Sequence, residues 1–270
     1  MNWLQAIGLQ HKYAINAQQL GDDAALPWSN LGYWDDAKSS YPEACRQLAD
    51  QLAQAVHLDA NDRLLDLGCG QGASLLHWQQ HYQLKDIEAV ELQSACVMHI
   101  QKHLPYLSAI HQQSFLNLKQ IPFQRKFDVV LCIDAAYHSN LNLFLDSVAS
   151  VLNSNGRLGF HYLMLSDQWL KLNSLQQKKY QWLLKSADVN LDHLMTQSML
   201  TQTLQQHGFQ DIQIDDLSSG VLHGFAHYIQ SLPRQAFSLD TVKIRMTAKL
   251  CHKLYNDGLV NYVQISAKKP

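Results

Sequence analysis

Residues 64–72 read Leu-Leu-Asp-Leu-Gly-Cys-Gly-Gln-Gly and predict the architecture of this chain. The first four have the nearly continuous apolar pattern of a buried strand. The next five form a loop with glycine at alternate positions, and glycine lets the backbone adopt positive φ and approach a ligand closely. A helical pattern follows over residues 73–82, and the start of a helix offers unpaired N–H groups. A strand, a glycine-rich turn and a helix in this order are typical of nucleotide-like cofactor sites in open α/β sheets.

The spacing of the glycines fits two cofactors. Gly68, Gly70 and Ala73 satisfy the dinucleotide pattern G-x-G-x-x-G/A, so an NAD-dependent oxidoreductase stays open on these residues alone. With Asp66 and Gly72 included, Asp-x-Gly-x-Gly-x-Gly resembles motif I of the class I S-adenosylmethionine (SAM)-dependent methyltransferases. The resemblance implies that the loop bends around the methionine part of SAM. The cofactor contacts that it implies in this loop are Asp66, Gly68, Cys69, Gly70 and Gly72.

Strand and helix patterns alternate on the C-terminal side of the glycine loop. Strands are predicted at 87–91, 108–112, 127–133 and 156–162, and helices at 93–103, 141–152, 167–187, 190–207 and 234–256. A turn is predicted at 153–156. The run at 127–133 is almost entirely apolar, as a central strand of a parallel sheet should be. Such β-α-β alternation requires a parallel sheet with right-handed crossovers.

The C-terminal part resembles the end of small-molecule methyltransferases. Strands are predicted at 209–215 and 259–267. In that family the final strand is antiparallel and lies between the fifth and sixth strands. With Asn30 to Trp34 in front, the resemblance runs from about residue 28 to the end and is closest to the "type 11" group, which methylates sugars, polyketides, quinone precursors and related metabolites. It implies an α/β fold with a Rossmann-like, doubly wound, seven-stranded sheet whose last strand is antiparallel.

Four regions are predicted along the chain. They are an N-terminal helical arm that covers the active site (1–57), a SAM-binding core (58–165), a small helical cap (166–207) and C-terminal strands and helices that complete the sheet (208–270). Aromatic faces can rest against a sulfonium, so Tyr33 in the arm is a predicted cofactor contact. Large side chains of the cap suit either an acceptor pocket or plain core packing. They are Trp169, Tyr180, Trp182 and Met195.

Residues that follow the predicted strands supply the other cofactor contacts. Glu91, followed by Leu92, ends the second strand, where an acid can accept hydrogen bonds from two ribose hydroxyls in either a SAM or an NAD enzyme. Ser114 and Phe115 follow the third strand and are assigned by resemblance to adenine, although the family usually has an acid where this chain has Ser114. The last two predicted contacts, at the end of the fourth strand, are Ile133 and Asp134.

His138 is the candidate general base. It closes the segment Ile133 to His138, which the fold places beside the methyl donor. An imidazole with an ordinary pKa of about 6.5 can accept a hydroxyl proton near neutral pH. A histidine that only shapes the pocket fits the sequence equally well. Tyr137 and His161 are further candidates.

Composition argues against several classes of protein. Lys and Arg number 21 against 23 Asp and Glu, whereas a dedicated nucleic-acid binder needs a basic face to neutralise phosphates. A local basic patch is still compatible with this balance. The five cysteines have no zinc spacing, so we predict no metal site and reduced thiols in a cytoplasmic protein. No signal-peptide pattern and no apolar run of about 18 residues is present, so no transmembrane segment is expected. The oligomeric state stays open.

The sequence therefore predicts a SAM-dependent methyltransferase that acts on a small-molecule acceptor, with amphipathic or lipid-like molecules among the candidates. O-methylation is the favoured reaction, with S-adenosylhomocysteine (SAH) as the product. The alternatives are N- or C-methylation, a modification of lipids like that of the cyclopropane synthases, and a catalytically silent SAM-binding protein. A predicted antiparallel last strand and the aromatic arm argue against the NAD-dependent oxidoreductase.

Overall fold

The computed structural model describes residues 16–36, 39–185, 187–233 and 238–270. These residues form one seven-stranded sheet in the order β3-β2-β1-β4-β5-β7-β6. Its strands are β1 (Arg63–Leu67), β2 (Asp86–Glu91), β3 (Ala109–Gln112), β4 (Phe127–Cys132), β5 (Leu152–Leu165), β6 (Gln210–Asp216) and β7 (Val260–Lys268). β1 to β5 pair in parallel, and β7 is antiparallel to both β5 and β6. The predicted fold class and the position of the last strand are confirmed.

The helices of the described residues lie between the strands or cover an edge of the sheet. They are α1 (Tyr41–Ala55), α2 (Ala73–Gln80), α3 (Ser94–His103), α4 (Leu141–Val151), α5 (Ser174–Lys185), α6 (Gln197–Gln206), α7 (Gly224–Ser231) and α8 (Leu239–Asp257). α1 begins with a capping box between Ser40 and Glu43, and Pro42 stands in its first turn, where a missing N–H costs nothing.

The core explains why the central strands are so apolar. Every residue of β1 is buried, and so is all of β4 except Asp128. Gly159 in β5 lets α1 approach the sheet, because a Cβ there would lie 2.7 Å from Val56 Cγ1 and 2.9 Å from Leu131 Cδ2. From β1 the strand order runs to β2 and β3 on one side, and from β4 it runs to β5 on the other side. The direction of the chain connections thus reverses between β1 and β4, and such a reversal leaves a crevice at the carboxyl ends of these strands.

Several predicted boundaries differ from the structure. β5 begins at Leu152, so the turn predicted at 153–156 lies within the strand as an irregularity, with Asn155 at a φ of 61°. The helix predicted at 167–187 is a 3₁₀ turn, Asp167–Lys171, followed by α5.

α6 and α8 also differ from the predicted boundaries. α6, predicted as part of the cap, lies beside α4, where His207 Nδ1 is 3.0 Å from Asp146 Oδ1. It therefore flanks the sheet, because α4 is one of the helices between parallel strands. α8 begins at Leu239, and residues 234–237, where that helix was expected to start, lie outside the described residues together with 1–15 of the arm.

Within the described ranges, no helix is both long and apolar enough to cross a membrane. All five cysteines are buried and have free thiols.

Candidate active site

A cavity of about 1570 Å³ lies at the carboxyl ends of β1, β2 and β4. One side is formed by the glycine loop and the strand ends. The opposite walls come from arm residues 27–31, from the end of α5 and from α8. The cavity is large enough to hold a cofactor and an acceptor together, since a site for one drug-sized ligand is about 300–1,000 Å³.

The glycine loop has the conformation that only glycine adopts readily. Gly68, Gly70 and Gly72 have φ values of 69°, 54° and 93°. A Cβ on Gly68 would lie 3.0 Å from Ala135 Cβ, and one on Gly70 would lie 2.8 Å from Ser29 Oγ. The loop is therefore held between the end of β4 and the arm, and a side chain on either glycine would displace one of them.

Asp66, two residues before the loop in β1, helps to fix the position of the loop. Its side chain is buried, and Oδ2 accepts a hydrogen bond from Trp78 Nε1 at 2.7 Å. Burial raises the pKa of Asp66 to about 6. Since Trp78 lies in α2, the carboxylate ties the strand before the loop to the helix after it.

Glu91 braces the same loop from β2. Its Oε2 accepts from the backbone N–H of Gly70 at 3.0 Å, and its Oε1 accepts from that of Gln93 at 2.9 Å. Burial raises the pKa of this carboxyl, and the two N–H donors oppose that rise. Leu92 follows it in the cavity wall. Carboxylate oxygens have about four lone-pair sites, so Glu91 keeps capacity for ribose hydroxyls.

Ser114 and Phe115 lie in the cavity wall after β3. Ser114 Oγ accepts from the N–H of Leu116 at 3.3 Å and so caps the short 3₁₀ helix Phe115–Gln120. The Phe115 ring packs edge-on against Phe144, with centroids 5.7 Å apart. Phe115 thus contributes an apolar ring to the cavity wall, while the Ser114 hydroxyl stabilises the turn.

The side chain of Asp134 accepts hydrogen bonds from three parts of the chain. Its Oδ2 accepts from the backbone N–H of Leu31 at 3.0 Å, and its Oδ1 accepts from the hydroxyls of Tyr137 at 2.7 Å and Tyr262 at 3.0 Å. Its φ is 55°, an uncommon conformation for a residue other than glycine. Burial raises its pKa. The carboxylate therefore joins the arm, the turn after β4 and strand β7, with Ile133 beside it in the wall.

His138 ends the 3₁₀ turn Ala136–His138 and lies in the wall of the cavity. The carbonyl of Asp188 is 3.3 Å from Nδ1. A carbonyl only accepts, so Nδ1 carries the proton and the lone pair of the neutral ring is on Nε2. Burial lowers the pKa of His138, which keeps the ring neutral at pH 7. Burial also raises the pKa of Tyr137 well above its usual value, so its phenol stays protonated.

The structure brings most of the predicted site residues together. Among the residues lining the cavity in the described part of the chain are twelve of those predicted from the sequence, namely Asp66, Gly68, Cys69, Gly70, Glu91, Leu92, Ser114, Phe115, Ile133, Asp134, Tyr137 and His138. Gly72, the last residue of the loop, faces α3 instead, where a Cβ would meet Ile100 Cγ1 at 2.7 Å.

Tyr33 lies elsewhere, against Gly220, and is absent from the described residues of the cavity wall. His161 is fully buried in β5, within the core, so it has no access to an acceptor.

None of the four large side chains predicted for the cap is among the described residues that line this cavity. Trp169 and Tyr180 are buried and contact each other edge-on at 5.9 Å, Met195 Sδ accepts from the Thr203 hydroxyl, and Trp182 is 76 % exposed. The wall from the end of α5 comes from Leu183, Leu184, Ala187 and Val189.

The wall formed by α8 was missed from the sequence. Lys243, Thr247, Leu250 and Leu254 line the cavity at helical spacing. Their exposure decreases along the helix, from Lys243 at the outside to the buried Leu254. The helical spacing of these four residues could have indicated the wall, but the same spacing occurs on the inner face of any amphipathic helix.

These observations fit an adenosyl group with a short charged tail. The loop offers a surface without side chains, Glu91 lies at the end of β2, and Phe115 gives a flat apolar contact. A sheet of this topology with this site defines a class I SAM-dependent methyltransferase, and its cofactor is SAM.

The chain belongs to the methyltransferase family: residues 37–214 match the family model described as "Methyltransferase domain". It is 23% identical to erythromycin 3''-O-methyltransferase of Saccharopolyspora erythraea, over 89% of this chain and 83% of that protein. It is also 23% identical to 27-O-demethylrifamycin SV methyltransferase of Amycolatopsis mediterranei, over 88% and 89%.

Among solved structures, the fold matches geranyl diphosphate C-methyltransferase from Streptomyces coelicolor A3(2), solved with SAH. The TM-score is 0.71 at 16% identity, and the match covers 94% of this chain and 92% of that one. The cyclopropane synthase MmaA2 from Mycobacterium tuberculosis matches with a TM-score of 0.73 at 17% identity, over 97% and 95%.

Proposed function

We propose that the protein transfers the methyl group of SAM to a hydroxyl of an amphipathic small molecule, with His138 as the general base. The observation that carries the proposal is the position of His138. It is a neutral imidazole in the wall of the cavity, on the turn that follows β4, and the carbonyl of Asp188 orients it. A neutral imidazole accepts a proton, which an alcohol acceptor must lose when its oxygen is methylated.

The chemistry asked of the protein is limited. SAM supplies a methyl carbon that is already electrophilic. The protein has to hold the acceptor in line at close range and to exclude water, and alignment of this kind can contribute about 7–11 kcal/mol. We expect the arm residues 27–31 to cover the cofactor side and α8 to cover the acceptor side.

The walls opposite the glycine loop support an acceptor with a large apolar part. They carry apolar side chains from four elements, Leu163 in β5, Leu184 in α5, Leu222 before α7 and Leu250 in α8. Polar side chains lie among them, including His138 and, in α8, Lys243 and Thr247, which suits an amphipathic acceptor rather than a wholly apolar one. One relative is named as an O-methyltransferase of erythromycin and another as a methyltransferase of 27-O-demethylrifamycin SV, and these names favour oxygen as the accepting atom.

The test is a panel of apolar alcohols and phenols, each paired with its methyl ether and its amine, with SAH release as the measurement. We expect turnover with free hydroxyls only. Equal turnover of analogues without a hydroxyl would contradict O-methylation. His138→Gln should then slow the methylation of an alcohol by about 10²–10⁴-fold while SAH binds within threefold of the wild-type Kd. The matched control is His252→Gln, an exposed histidine of α8 outside the cavity.

The pH profile gives a second readout of the same assignment. Because burial lowers the pKa of His138 below 6.5, the neutral base is present at pH 7 and is lost only as the pH falls through that lowered pKa. The rate for an alcohol should therefore be close to its maximum at pH 7–8, and the midpoint of its acid limb should lie below pH 6.5. His138→Gln should remove this acid limb, and a limb of unchanged position in the variant would exclude His138 as the base.

A further inference from the structure

Two glycines of the segment between β6 and β7 make room for two aromatic rings of the arm. A Cβ on Gly220 would lie 2.3 Å from Tyr33 Cε2 and 2.6 Å from Tyr33 Cδ2. A Cβ on Gly224 would lie 2.5 Å from Trp34 Cβ and 2.8 Å from its Cγ. These separations are far below van der Waals contact, so each ring lies directly on a glycine backbone.

Further contacts join the same two segments. The backbone N–H of Trp34 donates to the carbonyl of Gly220 at 3.0 Å, and the Trp34 ring stacks on Tyr228 of α7 at 4.2 Å. Gly220 lies in a single π-helical turn, Ser219–His223, that runs directly into α7. π-Helical turns are rare and occur often at functional sites.

The other end of this stretch of the arm reaches the active site. Ser29 lies against Gly70 of the glycine loop, and the N–H of Leu31 donates to Asp134. Arm residues 27–31 line the cavity directly before the seated rings of Tyr33 and Trp34. The rings of Tyr33 and Trp34 therefore fix one end of segment 27–34, and the other end of this segment forms a wall of the cavity.

We propose that Gly220 and Gly224 are positioning residues that hold the arm over the bound cofactor. Neither has positive φ, so the backbone does not require glycine at either position. Alanine is the best helix former and would favour this helical segment in isolation. The space that the two rings need is therefore the reason for glycine, and filling it displaces the arm. Tyr33, expected from the sequence to contact SAM, would then act through its contact with Gly220.

The experiment is a double-mutant cycle read by calorimetric titration with SAH, so it needs no knowledge of the acceptor. Gly220→Ala should raise the Kd for SAH at least tenfold, and Tyr33→Ala should raise it by a similar factor. In the double variant the alanine meets no ring, so its Kd should equal that of Tyr33→Ala alone. The matched control is Gln230→Ala, an exposed position of α7.

Hydrogen exchange separates positioning from general destabilisation. In Gly220→Ala the amides of Tyr33 and Trp34 should exchange faster, while those of β1 and β4 keep wild-type protection. A wild-type Kd for Gly220→Ala would overturn the proposal. So would a double variant whose loss is the product of the two single losses, because the glycine would then act independently of the ring.

If Gly220→Ala does not fold, Tyr33→Ala and Trp34→Ala still test the proposal, because they remove rings without a clash. Unchanged SAH affinity in both variants would refute an anchoring role. Failure of O-methylation in the acceptor panel would leave the SAH titrations unaffected, so the two outcomes are distinguishable.

Discussion

The buried imidazole of His161 should make the stability of the protein depend on pH. His161 lies in β5 opposite Gln264 of β7 and has no exposed surface. Within the described residues, neither of its ring nitrogens has a hydrogen-bond partner, and the same holds for Gln264 Oε1. Burial lowers the pKa of His161 from 6.5 to about 3. The folded chain therefore keeps this ring neutral at a pH where the unfolded chain protonates it.

The sign and the size of the effect follow from proton linkage. As the pH falls below 6.5, the unfolded state binds a proton that the folded state does not bind until about pH 3, so stability decreases through that window. Between pH 8 and pH 5 the loss amounts to about 2 kcal/mol of unfolding free energy from this residue.

His161→Phe should remove that loss. Phenylalanine keeps a flat ring against Tyr262, whose centroid lies 5.3 Å from that of His161. Urea denaturation at pH 8 and pH 5 would measure the two free energies for wild type and variant. We expect the variant to be at least as stable at pH 8, since an unsatisfied polar group is removed, and to lose about 2 kcal/mol less on going to pH 5. The exposed His252→Gln is the control. A pH dependence identical to wild type in His161→Phe would show that this imidazole is not its source.

Three further substitutions test the cofactor loop and the sheet. Glu91→Gln leaves one acceptor oxygen for two backbone N–H donors, so the Kd for SAH in calorimetry should rise about 10–100-fold, and a change under threefold would contradict the bracing role. Arg63→Met leaves the buried carboxylate of Glu88 with His111 Nε2, at 2.6 Å, as its remaining partner and should lower the urea unfolding free energy by about 1–3 kcal/mol, so wild-type stability would count against this pair. Trp78→Phe removes the 2.7 Å donor to Asp66 and should cost about 1–3 kcal/mol in the same assay, whereas wild-type stability would show that the bond contributes nothing.

The sheet was predictable because its signals are local. β1 and β4 are short apolar runs beside glycines and turns, and each is buried on both faces in the structure. The cofactor loop was equally predictable, since three glycines at alternate positions between a strand and a helix are typical of a cofactor-binding turn. The residues that line the cavity from the ends of β1, β2 and β4 follow directly from the topology.

The covering walls were not predictable, because they depend on contacts between distant segments. Nothing near Tyr33 in the sequence shows that Gly220 will lie under its ring. Asp134 reads as a strand-end acid, yet its carboxylate is shared by donors from three elements. The stripe on α8 that ends at Leu254 has the pattern of ordinary core packing, and only its place over the sheet edge makes it a wall.

The ties between the two ends of the chain bear on when the site forms during folding. The hydroxyl of Tyr228 donates to the carbonyl of Leu20, and Asn16 donates to Asp240, across 208 and 224 residues of sequence. Contacts between residues so far apart in sequence form late in folding, because closing a long loop costs conformational entropy before the contact can stabilise it. A chain emerging from the ribosome can therefore complete its glycine turn long before it has the pocket around it. We therefore expect full affinity for the ligand to appear only in the last step of folding, after β7 has joined the sheet.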